Sequence, residues 1–224
     1  MTTSSPANSG GPATAGTTSV VVRHTLADRL LHWLSALCVL VLLGTAFLPI
    51  VGVEFGWVTV HWVTGLVLMV AVALHIVRVL VRRTLGSMWL GAADVRDGLA
   101  IVTATLHRKA VGVRTGKYSF AQKLIHHAFA AVVLTTLITG GLMLARIDTP
   151  WWQRNPYVLA DATWGIVYVL HGLAALLLVT MVMMHIYFAL RPEKQLFLRA
   201  MIRGWVTRRE FDEHHDPKRW QVDP

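Results

Sequence analysis

The chain has 224 residues, 54% of them hydrophobic and 15% charged, with a mean hydropathy of +0.53; this is too apolar for a soluble domain and reads as a small integral membrane protein. Its formal charge of +9 does not point to nucleic acid, because nearly all Lys and Arg sit in segments that flank apolar runs, as at a membrane surface. The single cysteine, Cys38, lies inside an apolar run. That excludes a disulfide framework or thiolate cluster within the chain, and any iron–sulfur centre must belong to a partner.

Residues 1–21 read as a disordered tail, rich in Ser, Thr, Gly, Ala and Pro and free of charge. They lack the basic start and apolar core of a secretory signal, so cleavage is not expected. Four charge-free apolar runs follow: Leu30 to Leu48, ended by Pro49; Phe55 to Val77; Leu124 to Ala145; and Ala162 to Leu190. Each is long enough to cross a bilayer as a helix. The fold class expected for residues 22–190 is therefore an all-α membrane protein, a bundle of four transmembrane helices. Arg82, Arg83, Arg96, Arg108, Lys109, Arg114 and Lys117 lie between the second and third runs, and the segment after Leu190 is also basic, whereas the opposite loops hold only Arg146 and Arg154. The positive-inside bias places both termini and the middle loop in the cytoplasm. Val95 to Lys109 is expected to form a short surface helix. Residues 191–224 are expected to form an interfacial helix, over Gln195 to Trp205, followed by a tail. No strand pattern is visible.

The fourth run has twenty-nine residues without a charge but with two histidines, His171 and His185. Fourteen residues are about 21 Å along a helix and return to nearly the same face. Polar side chains at membrane depth usually face a bundle interior and do something there, and a neutral imidazole is well suited to ligating a haem iron. Helix direction puts His61 at the outer depth of His171, and His32 at the inner depth of His185. Matched pairs of this kind are what two bis-histidine haems need. His75 follows His61 by fourteen residues and is a rival to His32 that spacing does not separate. His126 and His127 open the third run and read as interfacial. His24, His107, His214 and His215 lie outside the spans and read as solvated. Trp57, Trp62, Trp151, Trp152 and Trp164 read as interfacial anchors.

RHTLADRLLHW (Arg23 to Trp33), the segment with His61 and Gly65, the loop GKYSFAQK (Gly116 to Lys123), the two histidines of the fourth run, and VTRREFDEHHDPKRW (Val206 to Trp220) together resemble the gamma, cytochrome b subunit of membrane-bound respiratory formate dehydrogenase. The similarity spans about residues 22–220. It implies two haems b, held by His61 and His171 on the outer side and by His32 and His185 on the inner, which favours His32 over His75. It also implies electron flow from a molybdenum or tungsten subunit through an iron–sulfur subunit and the haems to menaquinone or ubiquinone, bound near the GKYSFAQK loop. This chain has Ser119 where the family carries Asn, and keeps Gln122; both are candidate quinone contacts, with helix capping as the competing role for Gln122. No substrate-level active site is recognisable in the chain. The nearest alternatives are the cytochrome b subunit of a nickel–iron hydrogenase or of a sulfur-compound reductase. A metal or proton transporter lined by histidines would be expected to carry carboxylates among them, and the four runs contain none.

Overall fold

Charge-free runs mark only the part of a helix that sits in hydrocarbon, and each of the four helices extends beyond its run. In the computed structural model, which describes residues 19–107 and 114–220, the spans are α1 (Leu26–Phe47), α2 (Trp57–Val81), α5 (Phe120–Met143) and α6 (Asp161–Leu190). All four are long and apolar enough to cross a membrane. Between α2 and α5 lie a single turn, α3 (Leu85–Met88), and the surface helix α4 (Ala92–Leu106). The expected tail falls outside the described residues up to position 18, as do Arg108 and Lys109 at the end of the expected surface helix.

Helix α1 begins at Leu26 because Thr25 and Asp28 form a reciprocal cap. Arg78, in the last turn of α2, reaches back to this cap, donating to Asp28 Oδ1 at 2.7 Å and to Thr25 Oγ1 at 2.6 Å. An anionic side chain at a helix start and a cationic one at a helix end both suit the helix dipoles. The clasp fixes the depth of α1 against α2. At the other end Leu48 caps α1, Pro49 opens a turn of 3-10 helix, and Gly52, at φ 90°, reverses the chain toward α2.

The helices pack as two hairpins, α1 with α2 and α5 with α6. The hairpins meet in a layer of Cys38, Val39, Leu68, Leu137 and Leu178, to which all four spans contribute. On α6, His171 stands seven residues before Leu178 and His185 seven after it; on α2, His61 and His75 flank Leu68 in the same way. Seven residues make two helical turns, about 10 Å. The apolar layer therefore sits midway between two levels of inward-facing histidine. Outward faces remain apolar and exposed, as at Val70 (60%), Ile138 (64%) and Val169 (60%), the pattern of a helix whose solvent is lipid.

Both described termini lie at one end of the bundle, the terminal end. There Val20–Val22 (β1) pairs antiparallel with Trp205–Thr207 (β2), flanked by α7 (Gln195–Arg203) and α8 (Arg208–His214). Two strands thus exist where none was expected, and Val20 and Val21 belong to a strand rather than to a tail. Val21, Ala200, Val206 and Phe211 bury one another in a second core. Gly204 ends α7 at φ 96°, and its carbonyl accepts from the amides of Arg23 and His24 at 2.8 and 2.9 Å. The interfacial helix expected over Gln195 to Trp205 stops at Arg203, because Gly204 breaks it and Trp205 enters the sheet.

Candidate haem-binding site

At the end of the bundle far from the termini, the rings of His61 (α2) and His171 (α6) face each other with centroids 6.4 Å apart. At the terminal end His32 (α1) and His185 (α6) face each other at 6.3 Å. His75, the rival left open by spacing, turns instead to His126 on α5, at 6.4 Å. His126 also abuts His127 at 5.7 Å, and His127 Nδ1 donates to the Lys123 carbonyl at 2.7 Å.

An imidazole nitrogen sits about 2 Å from a metal it binds and its ring centre about 1 Å further, so two imidazoles on one metal have centres about 6 Å apart. Both α6 pairs match that spacing, as does His75 with His126; the α6 pairs are the ones that stand at matched depths on either side of the apolar layer. Their interplanar angles of 69° and 56° are compatible with two rings standing upright on opposite faces of a flat macrocycle, which fixes no angle between them. Small residues adjoin the far pair: a Cβ on Gly140 would lie 3.2 Å from His171 Cε1. His61 and His171 each have their Nδ1 beside a threonine hydroxyl, Thr45 at 2.8 Å and Thr139 at 2.9 Å, leaving Nε2 as the nitrogen free to ligate. The residues present therefore fit haem, with a bis-imidazole set at each level. Sequence reasoning missed both threonines. A threonine in an apolar span usually returns its hydroxyl to its own helix, and nothing in the string marks one that also meets an imidazole.

Ser119 and Gln122 lie at the start of α5. Ser119 is the N-cap, Gln122 Oε1 accepts from the Ser119 amide at 2.9 Å, and the Gln122 amide donates to Ser119 Oγ at 3.3 Å. Lys123, next in sequence, is 8% exposed and donates to Asp94 of α4 at 2.8 Å and to the Trp89 carbonyl at 3.0 Å. Arg219 adds a second cation to Asp94 at 3.2 Å. Burial pushes the Asp94 carboxyl up, but the bonds from Lys123 and the Gly91 amide, with the charges of Lys123 and Arg219, outweigh it and hold the group below the usual range.

Two histidines expected to be solvated, His215 and His24, are not. His215 is 2% exposed: its Nε2 accepts from Arg23 Nη1 at 2.7 Å and its Nδ1 donates to the Gly116 carbonyl at 2.9 Å. Arg23, also 2% exposed, donates to the Lys117 carbonyl at 2.7 Å and lies against Phe197, Trp220 and Tyr118. Burial first, then the Arg23 charge, lowers the His215 pKa to about 4. His24, half-buried, falls to about 3, mainly through burial and then through the charges of Arg23 and Lys117. A histidine buried by an aromatic cage from three distant segments carries no local signal. Trp164 likewise is not an anchor facing lipid: it is 2% exposed, donates to the Pro156 carbonyl at 2.9 Å and stacks under Arg146.

Four membrane-spanning helices with histidines facing inward at two depths define a membrane cytochrome b. Residues 23–204 match the family model described as prokaryotic cytochrome b561, and the chain belongs to that family; its cofactor is haem b. The chain is similar to the formate dehydrogenase cytochrome b556 subunit of Haemophilus influenzae, 24% identical over 214 residues that cover 89% of this chain and 82% of the relative. It is 27% identical over 217 residues to the formate dehydrogenase cytochrome b556(fdo) subunit of Escherichia coli K12, covering 89% of this chain and 91% of the relative.

Proposed function

We propose that the chain is the membrane anchor and quinone-reactive subunit of a respiratory formate dehydrogenase, holding two haems b, one on His61 and His171 and one on His32 and His185. The observation that carries this reading is the pair of facing imidazole sets, one on each side of the apolar layer on α6. Similarity to two formate dehydrogenase cytochrome subunits over 89% of the chain supports the choice of complex. The basic flanks support placing the terminal end in the cytoplasm and the far end outside the inner membrane. An iron–sulfur subunit, with a molybdenum or tungsten subunit behind it, would then meet the far end.

When bound, haem supplies a one-electron couple on each side of the apolar layer, which is what a relay across a membrane requires. The chain's own part is to hold the rings at two fixed depths, to keep water out with Leu68, Leu137 and Leu178 between them, and to receive menaquinone or ubiquinone at the terminal end. There the cap on α5 uses Gln122 Oε1, leaving the amide nitrogen to donate to a quinone carbonyl, and Ser119 Oγ has a second lone pair and a proton to offer. A quinone reduced at this end draws two protons from the cytoplasm, and His126 and His127 are placed at that end to pass them.

Anaerobic membranes separate the possible partners. Formate should reduce the haem α-band of this chain, and reduction by hydrogen but not by formate would assign it to a hydrogenase. In the Gln122→Leu variant, reoxidation of haem by a quinone analogue should slow severalfold with haem content unchanged; undiminished reoxidation would place the quinone elsewhere.

A further inference from the structure

Thr45 on α1 and Thr139 on α5 are buried, each 5% exposed. Each belongs to a helix that contributes no histidine to the far pair, and each meets the histidine of its hairpin partner: Thr45 Oγ1 lies 2.8 Å from His61 Nδ1, and Thr139 Oγ1 lies 2.9 Å from His171 Nδ1. A hydroxyl has one proton to give. Thr139 gives its proton to the Thr135 carbonyl at 2.6 Å, and Thr45 gives its own to the carbonyls of Val41 and Leu42 at 2.9 and 3.0 Å. With its proton on a carbonyl of its own helix, each oxygen meets the ring with a lone pair, and Nδ1 then carries the hydrogen. In a neutral imidazole Nε2 is then bare, in the form that binds a metal.

Return of a threonine hydroxyl to its own helix is ordinary. It does not explain why both oxygens land on an imidazole, once in each hairpin and with the same geometry. Among the described residues, His32 and His185 have no hydroxyl partner; their ring neighbours are Trp33, Phe129 and each other. The two histidine levels thus differ in the hydroxyl contact that the rings make.

We propose that Thr45 and Thr139 are positioning residues: they hold His61 and His171 in the Nδ1–H form, aim Nε2 at the shared iron, and make this haem the lower in potential of the two. The inference rests on the reading of His61 and His171 as axial ligands. An imidazole whose N–H is given to an acceptor becomes a stronger donor to metal and stabilises the more highly charged ferric state. Passage from the far end to the terminal end is then downhill, in the direction that quinone reduction at the terminal end requires.

The test is a redox titration of the assembled complex carrying Thr45→Val and Thr139→Val together, with the far haem assigned by its loss in His61→Ala. Both haems should remain bound, and the low-potential component should rise by about tenfold in its reduction equilibrium, about 59 mV for one electron, while the other stays in place. Thr→Ser at both positions should restore the wild-type value. An unmoved low-potential component, or a shift that persists in the serine variant and so reports packing rather than a hydrogen bond, overturns the proposal. If the valine variant loses the far haem, the serine variant decides: a retained haem at wild-type potential supports the proposal, and a second loss overturns it. A His61→Ala chain that keeps its full haem content shows that the ligand reading itself has failed, before any threonine variant is made.

Discussion

Gly140 and His215 show how single residues set the behaviour of each end. A Cβ on Gly140 would come within 3.2 Å of His171 Cε1, closer than an ordinary contact, and the ring it would push is tied at Nδ1 to Thr139. On the proposed reading of two haems, Gly140→Ala should therefore perturb the far haem alone, lowering its occupancy or shifting its absorption, with the other haem unchanged in the same spectrum. At the terminal end, His215 is held neutral between Arg23 and the Gly116 carbonyl. Its pKa is about 4 in the folded protein against 6.5 when free, so the unfolded segment takes up a proton first as the pH falls. The stability tied to this histidine is complete above pH 6.5 and drains away between there and pH 4. Hydrogen-exchange protection of β1 and β2 should fall across that window, once intrinsic exchange is corrected for, and the fall should be smaller in His215→Leu, with His24, lowered to about 3, carrying the remainder.

Helix α4 and the cap at the terminal end depend on close approach between elements. Gly98 of α4 lies under the Phe120 ring at the first residue of α5, where an added Cβ would stand 2.6 Å from the ring. Lys123 and Arg219 close the same contact through Asp94. Gly98→Ala should push α4 from α5 and lower stability by about 1–3 kcal/mol, as overpacking does, read as a lower melting temperature of the detergent-solubilised protein. The four spans were legible in the sequence because twenty or more apolar residues without charge have one structural outcome in a bilayer. Their true ends were not, because Asp28, Arg78 and Lys123 are charges that the helices keep and pair with other elements. The two strands were illegible for a related reason. Three residues each carry no periodicity, and they are held by a core assembled from Val21, Ala200, Val206 and Phe211, far apart in the chain. The same distance hid the burial of His215 and the partners of His61 and His171. Matched depth predicted that His61 meets His171 but left both His32 and His75 open as partners of His185, and the family resemblance favoured His32; in the structure His32 faces His185 while His75 turns to α5.

As a whole, the molecule is two helical hairpins joined at mid-depth by one apolar layer, with histidine pairs on either side and a polar cap that ties the two chain ends together. Strand pairing between β1 and β2 puts both described termini at one end, and the proposed reading, resting on the basic flanks, makes that end the cytoplasmic one. A reporter fused after Trp220 should be active only in the cytoplasm, and one inserted between Thr149 and Asn155 only outside; the opposite pattern would reverse the direction of electron flow assigned to the chain. The central claim, that the two facing pairs on α6 each hold an iron, is tested most directly by the pyridine haemochrome of the purified protein, expressed per chain. The account predicts two haems b in the wild type, one in His32→Ala and in His171→Ala, and two in His75→Ala. One haem or none in the wild type, or a loss caused by His75→Ala and not by His32→Ala, would contradict it.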